Sequence, residues 1–327
     1  MDGDSIRPHP RVASGARSLS LAKVARMSDE EARSAFQAIR WAETSGKPVC
    51  PYCGNLECYT FKARRIFKCK SCESQFSITS GTIFSNRKLP IRDYLLAIAI
   101  FVNGAKGYAA LQLSRDLDVQ YKTAFVLAHK LREAIAMEQS HGDSLMGEVE
   151  VDGAYFGGHV RPANVKTDRI DRRLAMHQTG KRRVVVVMRE RAGRTSTKVF
   201  NSEAQSVAHV ARSVHPTATV YADEATHWDA LHARFLTKRI NHQQAYSSAE
   251  ACTNQAESFF SRLRRAEIGT HHHISGRYLH AYASEMSWRE DNRRISNGEQ
   301  FLTVAGAALN HPISNVWAGY WQRSATK

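Results

Sequence analysis

Apolar positions along the chain change their period twice. From Ser28, the stretch "SDEEARSAFQAIRW" sets Ala32, Phe36, Ile39 and Trp41 on a roughly helical stripe, and Ser28 and Glu31 stand in capping-box register, so a short helix is predicted there. Residues 1 to about 27 before it are polar, rich in Arg and Ser and without period, the pattern of a disordered basic N-terminus. Farther on, "SQFSITSGTIF" alternates as a strand does and "NRKLP" ends that module. From Ile91 to about Glu138 the period turns helical. Its longest apolar run, "YLLAIAIFV" (Tyr94 to Val102), is roughly half of the ~20 residues that span a bilayer, so it reads as a buried helix. "YAALQLSRDLDVQYKTAFVLAHKLREAIA" reads as a helix, a turn near Leu117 to Gln120, and a second helix bearing Lys122, Thr123, His129, Lys130 and Arg132. That order resembles a helix-turn-helix; an ordinary helical hairpin fits it as well.

From Gly147 onward the texture becomes α/β. "GEVEVDGAYFGG", "RRVVVVMRE", "STKVF", "TATVYAD" and "KRINH" read as five strands, with "EAQSVAHVARSV" as a helix before the fourth and "NQAESFFSRLRRAE" as a closing helix. Three strands in hairpin order, a helix, two more strands and a helix predict a mixed sheet flanked by helices and exclude a doubly wound parallel one.

Charge narrows the partner. A formal net charge of +15 and a pI near 9.7 suit a polyanion such as DNA better than a small acidic metabolite. No apolar export segment follows the basic N-terminus, so a reducing cytoplasm is expected, where clustered cysteines bind metal more often than they pair. Five of the six cysteines fall between Cys50 and Cys72. Cys50, Cys53, Cys69 and Cys72 have the CxxC, fifteen residues, CxxC spacing of a four-cysteine zinc ribbon with a structural Zn2+. Cys58 breaks that rhythm and is taken as a non-ligand, and Cys252 as a small buried hydrophobe.

Candidate chemistry sits in the α/β part. Asp152 lies in the first strand, Asp223 ends the fourth, and Glu257 stands one turn into the closing helix. Three such carboxylates can converge on hard cations and serve phosphodiester chemistry. Each also has a plainer explanation: the two aspartates as strand-end turn residues, and Glu257 as the partner of Asn254 in a capping box. Between the first two strands, "RPANVKTDRIDRRLAMHQTGKRR" sets eight basic residues against two acids, which suits a DNA backbone. His271, His272 and His273 are consecutive and cannot all face one metal from a short loop; one or two are expected at phosphate or the site's rim. Tyr278, Tyr282, Trp288, Arg289 and Arg293 interleave aromatic and basic positions, which core packing explains at least as well as base stacking.

Six blocks together carry a resemblance: "RWAETSGKPVCPYCG", "CKSCESQFSITSGTIF", "VEVDGAYFGG", "VYADE", "TNQAESFFSRLRR" and "HHHISGRYLHAYASEMSWREDNRR". Over about residues 28 to 294 they resemble bacterial insertion-sequence transposases, and more closely the family numbered fifteen-ninety-five, with a zinc ribbon ahead of a DDE domain. The resemblance implies an RNase H-like fold, Mg2+-dependent (or Mn2+-dependent) cleavage at element ends and transfer of the freed 3'-hydroxyl to target DNA, by a homo-oligomer assembled on DNA. It makes Asp152, Asp223 and Glu257 the catalytic, metal-holding triad. In two places the chain departs from the family. Arg264 stands where the family commonly has lysine, and some relatives use an Asn as third ligand, here Asn254. The implied layout is a disordered 1–27, a helix and ribbon over 28–88, a helical segment over 89–142, the catalytic domain over 143–300 and a tail over 301–327. A non-catalytic DNA-binding regulator and a stand-alone metal-dependent nuclease are the competing expectations.

Overall fold

The computed structural model describes residues 17–140, 142–157, 163–170, 182–191, 193–240 and 253–324. The chain divides into two compact units, Met1–Ser140 with Asn292–Lys327, and His141–Asp291.

The first unit begins with α1 (Leu21–Ala25), where the Ser20 hydroxyl accepts from the Lys23 amide. The amides of Ser18 and Leu19 donate to the Asn297 side-chain oxygen at 3.0 and 2.9 Å, and Asn297 donates back to the Leu19 carbonyl. The disorder expected up to residue 27 is thus corrected from Ser18 onward, by a partner too distant for local periodicity to register; residues 1–16 lie outside the described residues. α2 (Asp29–Arg40) opens with the predicted capping box of Ser28 and Glu31. β1 (Cys58–Phe61), β2 (Ile66–Cys69) and β3 (Gln75–Ser77) pair antiparallel in that order. β3 is shorter than its alternation predicts, because Ser77, Ser80 and Thr82 turn their hydroxyls onto nearby main-chain groups and end the strand.

α3 (Ile91–Asn103) is the buried helix expected of its apolar run, with Ala97, Ile98, Ala99 and Phe101 fully buried. α4 (Ala110–Asp116) and α5 (Tyr121–Ser140) flank the predicted turn. There Asp118, not glycine, takes the left-handed conformation (φ 50°), which Asp tolerates better than most residues. The basic residues of the second helix differ in exposure. His129 and Arg132 are buried, His129 stacked on Trp317 and Arg132 beside Phe101, and the exposed Lys122 lies over Trp321.

In the second unit β4 (Glu148–Phe156), β5 (Arg183–Glu190) and β6 (Thr195–Phe200) form two successive antiparallel pairs. After α6 (Val207–Ser213), β7 (Thr219–Asp223) lies parallel to β4, and β8 (Leu236–Ile240) lies parallel to β7. The order β6-β5-β4-β7-β8 is the mixed, RNase H-like sheet. Strand period two separates its faces. Val149, Val151, Val184 and Val186 join Val210 and Trp228 on one side. Ala154, Phe156, Val185 and Val187 meet Phe259, Phe260 and Leu263 of α7 (Asn254–Ala266) on the other. α8 (Leu279–Asp291) packs on β6 and α7. Trp288 and Arg289 are buried there, Arg289 ion-paired with Glu285 at 2.8 Å, which favours the core reading of the interleaved stripe.

The chain then returns to the first unit. α9 (Asn297–Asn310), begun by a capping box of Ser296 and Glu299, packs on α3 and α5 and buries Phe301, Val304, Ala308 and Leu309; α10 (Tyr320–Ser324) follows. Of the expected tail, residues 301–324 are packed on the first unit, the Ile83 amide donating to the His311 carbonyl at 2.8 Å and the Ser314 hydroxyl to Glu133 at 2.6 Å; residues 325–327 lie outside the described residues.

Candidate active site and metal centre

β4 and β7 place the two aspartates. Their parallel register ends with Glu150 opposite Tyr221. Asp152 and Asp223 each stand two residues beyond the end of that paired stretch, on its two neighbouring strands. The Gly153 amide donates to Asp152 Oδ1 at 2.7 Å, and the Ala225 amide to Asp223 Oδ1 at 3.1 Å. Asp223 thus also makes the turn contact of its plainer explanation.

Glu257 sits in the first turn of α7 and accepts from the Thr253 hydroxyl at 3.4 Å. The expected capping box with Asn254 does not form. Thr253 is the N-cap and Asn254 the first helical residue, while Glu150 of β4 receives the Gln255 and Ala256 amides at 2.8 and 3.1 Å. Glu150 is itself buried and bound by Arg191 at 2.9 Å. The helix end is capped from the sheet, so the cap does not explain Glu257.

Burial first, then the charges of Asp223, Glu203 and Glu257, push the Asp152 carboxyl up to about 7 against the Gly153 amide. The three predicted acids therefore share one electrostatic neighbourhood, joined by Glu203, which sequence reasoning missed. Glu203 opens a short 3-10 turn (Glu203–Ser206) after β6; burial and Asp223 raise it to about 7, and His227 Nε2 lies 3.4 Å from its Oε2. Its only signal in the sequence is an acid at a helix start beyond the third strand. The acids are gathered more loosely than the thiols. Among the described residues, the four ribbon cysteines are the one group of three or more whose ligand atoms all lie within 4.8 Å of one another.

Those thiols come from the β1–β2 hairpin and its two knuckles. Cys50 and Cys72 Sγ are 3.6 Å apart, and Cys53 and Cys69 Sγ 3.5 Å. Zinc–sulfur bonds of about 2.3 Å would span tetrahedron edges of about 3.8 Å, so the set fits zinc. The Cys72 backbone amide, helped by that of Ser71, holds the Cys69 thiol down to about 6, toward the thiolate a metal takes. Burial pushes Cys58 up to about 11, and it faces the Asn55 carbonyl, in keeping with a non-ligand. Cys252 lies outside the described residues.

Arg264, exposed, lies two turns along α7 from Glu257 with its guanidinium over Phe156. The histidines do not converge: His271 packs against Tyr282, His272 has a left-handed φ of 58°, and His273 is exposed. Of the basic insertion, only 163–170 and 182–183 are described, and 163–170 are exposed.

Comparison with known proteins finds two matching domains. Residues 144–291 match the ISXO2-like transposase domain, and residues 27–75 match the transposase zinc-ribbon domain. An uncharacterized protein in transposable element ISH50 of Halobacterium salinarum is 24% identical over 297 residues, 86% of this chain and 98% of that protein. Among solved structures, the Mos1 strand transfer complex aligns with 65% of this chain and 78% of its own at 10% identity and a TM-score of 0.19. No helix among the described residues is long and apolar enough to cross a membrane. With the transposase ribbon ahead of the transposase domain, the two together covering more than half of its length, the chain belongs to the insertion-sequence transposases of the family numbered fifteen-ninety-five.

Proposed function

We propose that this transposase cuts DNA at the ends of its element and joins the freed 3'-hydroxyl to target DNA, with Asp152, Asp223 and Glu257 holding Mg2+ or Mn2+. The observation that carries the reading is the shared neighbourhood of these acids at one end of an RNase H-like sheet, in a chain of net charge +15. Desolvated carboxylates that push on one another suit hard cations, which prefer oxygen ligands. Such cations supply an activated attacking oxygen and a stabilised leaving oxygen at a phosphodiester.

The chain's own groups set the geometry. The Gly153 and Ala225 amides fix one oxygen on each aspartate, and the Thr253 hydroxyl holds Glu257. Arg264 offers a planar fork to a DNA phosphate where a lysine would offer a point charge. The four-cysteine site takes zinc and folds the ribbon, whose Lys62, Arg64 and Lys70 favour contact with phosphates. Assembly on DNA as a homo-oligomer would bring two element ends together.

The test is Mg2+-dependent cleavage and joining of DNA bearing the element's ends. Asp152→Asn, Asp223→Asn and Glu257→Gln should each lower the rate at least ~100-fold, and Asn254→Ala far less. Undiminished cleavage by the aspartate variants refutes the reading. Loss in Asn254→Ala with activity kept in Glu257→Gln would move the third ligand to Asn254.

A further inference from the structure

β1 is the edge strand of the ribbon's sheet, and strand alternation gives that sheet two unlike faces. Phe67, Cys69 and Phe76 are buried on one, where Trp41 meets Phe67 edge-on at 5.4 Å and the Arg33 guanidinium lies 5.5 Å from the same ring. Tyr59 and Phe61 stand on the other, with Lys68 opposite Tyr59 and Ile66 opposite Phe61. Neither ring is taken up by the ribbon core: Tyr59 is 55% exposed and Phe61 39%. One exposed ring would call for no explanation, but two on one strand face among cations do. The Lys70 ammonium lies 5.4 Å from the centre of the Tyr59 ring, and the Arg64 guanidinium, held to Gln75 at 3.2 Å, lies 6.0 Å from that of Phe61. The acids at this surface, Glu57 and Glu73, reach Lys70 and Lys68 at 3.4 and 3.7 Å. Exposed pairs of this kind hold weakly, so a phosphate can displace the carboxylates.

Charge selects the occupant. A second copy of the chain would set Lys62, Arg64, Lys68 and Lys70 against their own likeness, whereas a polyanion complements them. The rings then select the form of the polyanion. In a duplex the faces of the bases are covered by neighbouring pairs and only their edges show in the grooves, while an unpaired base offers a free face to an aromatic side chain. Residues two apart on a strand stand about 7 Å apart, so Tyr59 and Phe61 can each take a base of its own. We propose that this face of the ribbon binds unpaired DNA, stacking bases on Tyr59 and Phe61 while Arg64, Lys68 and Lys70 hold the phosphates. This rests on the ribbon's phosphate contact proposed above and adds to it a preference for single strands.

The experiment measures fluorescence anisotropy of the zinc-loaded full-length protein with a labelled oligothymidylate and with a duplex of equal length. Photocrosslinking of the same strands carrying iodouracil, mapped by mass spectrometry, locates the contact. Crosslinks to Tyr59 or Phe61 are expected from the single strand and not from the duplex. Tyr59→Ala and Phe61→Ala should each weaken single-strand binding at least about fivefold and leave duplex binding within about twofold of the wild type. Tyr59→Phe, which keeps the ring, should bind as the wild type does, and every variant should retain its zinc because neither ring packs among the thiols. Equal losses on the two forms of DNA, or crosslinks only elsewhere, overturn the proposal. The triple variant Lys62→Ala, Arg64→Ala, Lys70→Ala separates it from the reading on which it rests. If that variant binds both forms more weakly while the ring variants lose nothing, stacking is excluded and the phosphate contact stands; if neither set loses affinity, the ribbon does not touch DNA and both readings fail.

Discussion

Asp152 meets opposing demands: a strand buried on both faces and a carboxylate among other carboxylates. Its carboxyl moves from 3.8 up to about 7, chiefly through burial. Between those values the folded chain holds a proton that the unfolded chain has released. The stability due to this group is therefore greatest below about pH 4, falls as pH rises to about 7, and stays low above. Melting curves of Mg2+-free protein check this: the wild-type Tm relative to that of Asp152→Asn should decline across that window, and Mg2+ added at pH 8 should raise only the wild-type Tm substantially. A pH-independent difference contradicts it. At this scale the sequence was partly legible. Asp152, Asp223 and Glu257 could be picked out because each stands at a recognisable place on its own strand or helix. Glu203 could not, since its charge meets theirs only once the fold brings the turn after β6 near the ends of β4 and β7.

At the scale of elements, the hydrophobic period and the capping boxes carried the reading. Four of the five strands of the second unit and the capping box of α2 stand where the pattern put them; β8 runs over Leu236–Ile240 where 238–242 was read, and 241–242 lie outside the described residues. α9 was missed although Ser296 and Glu299 repeat the signal of Ser28 and Glu31. The N-terminus of α7 was misread for a different reason: its cap is Glu150, 105 residues before the amide of Gln255. Glu150 ties sheet to helix by accepting from two α7 amides and from Arg191. Replacing it with alanine leaves the two buried α7 amides without their acceptor and takes from Arg191 one of its two carboxylate partners, and should cost about 2–4 kcal/mol in urea unfolding. Loss of Mg2+-dependent cleavage should follow, because α7 carries Glu257. A change below ~0.5 kcal/mol would show that the cap does not hold the helix.

For the molecule as a whole, the proposed function gives one metal centre a structural role and the other a chemical one. The ribbon's core is small, built around Trp41, Phe67 and Phe76, and too little for a segment of that length without its metal. Stripping zinc should therefore unfold the ribbon and leave the second unit's secondary structure in place, as read by circular dichroism with atomic absorption for zinc. Cys58→Ser should keep one zinc per chain and Cys69→Ser should lose it. Zinc retained in Cys69→Ser would contradict the ligand set. That centre was legible from cysteine spacing alone, because the knuckles fix their own geometry; the acidic centre depends on two strands and a helix arriving together.

The most direct measurement of that arrival is an anomalous-scattering map from crystals of the full chain soaked in Mn2+. A peak within about 2.5 Å of carboxylate oxygens of both Asp152 and Asp223, with Glu257 turned toward it, is the predicted result. Mn2+ bound elsewhere in the same crystals with no peak between the two aspartates would contradict it.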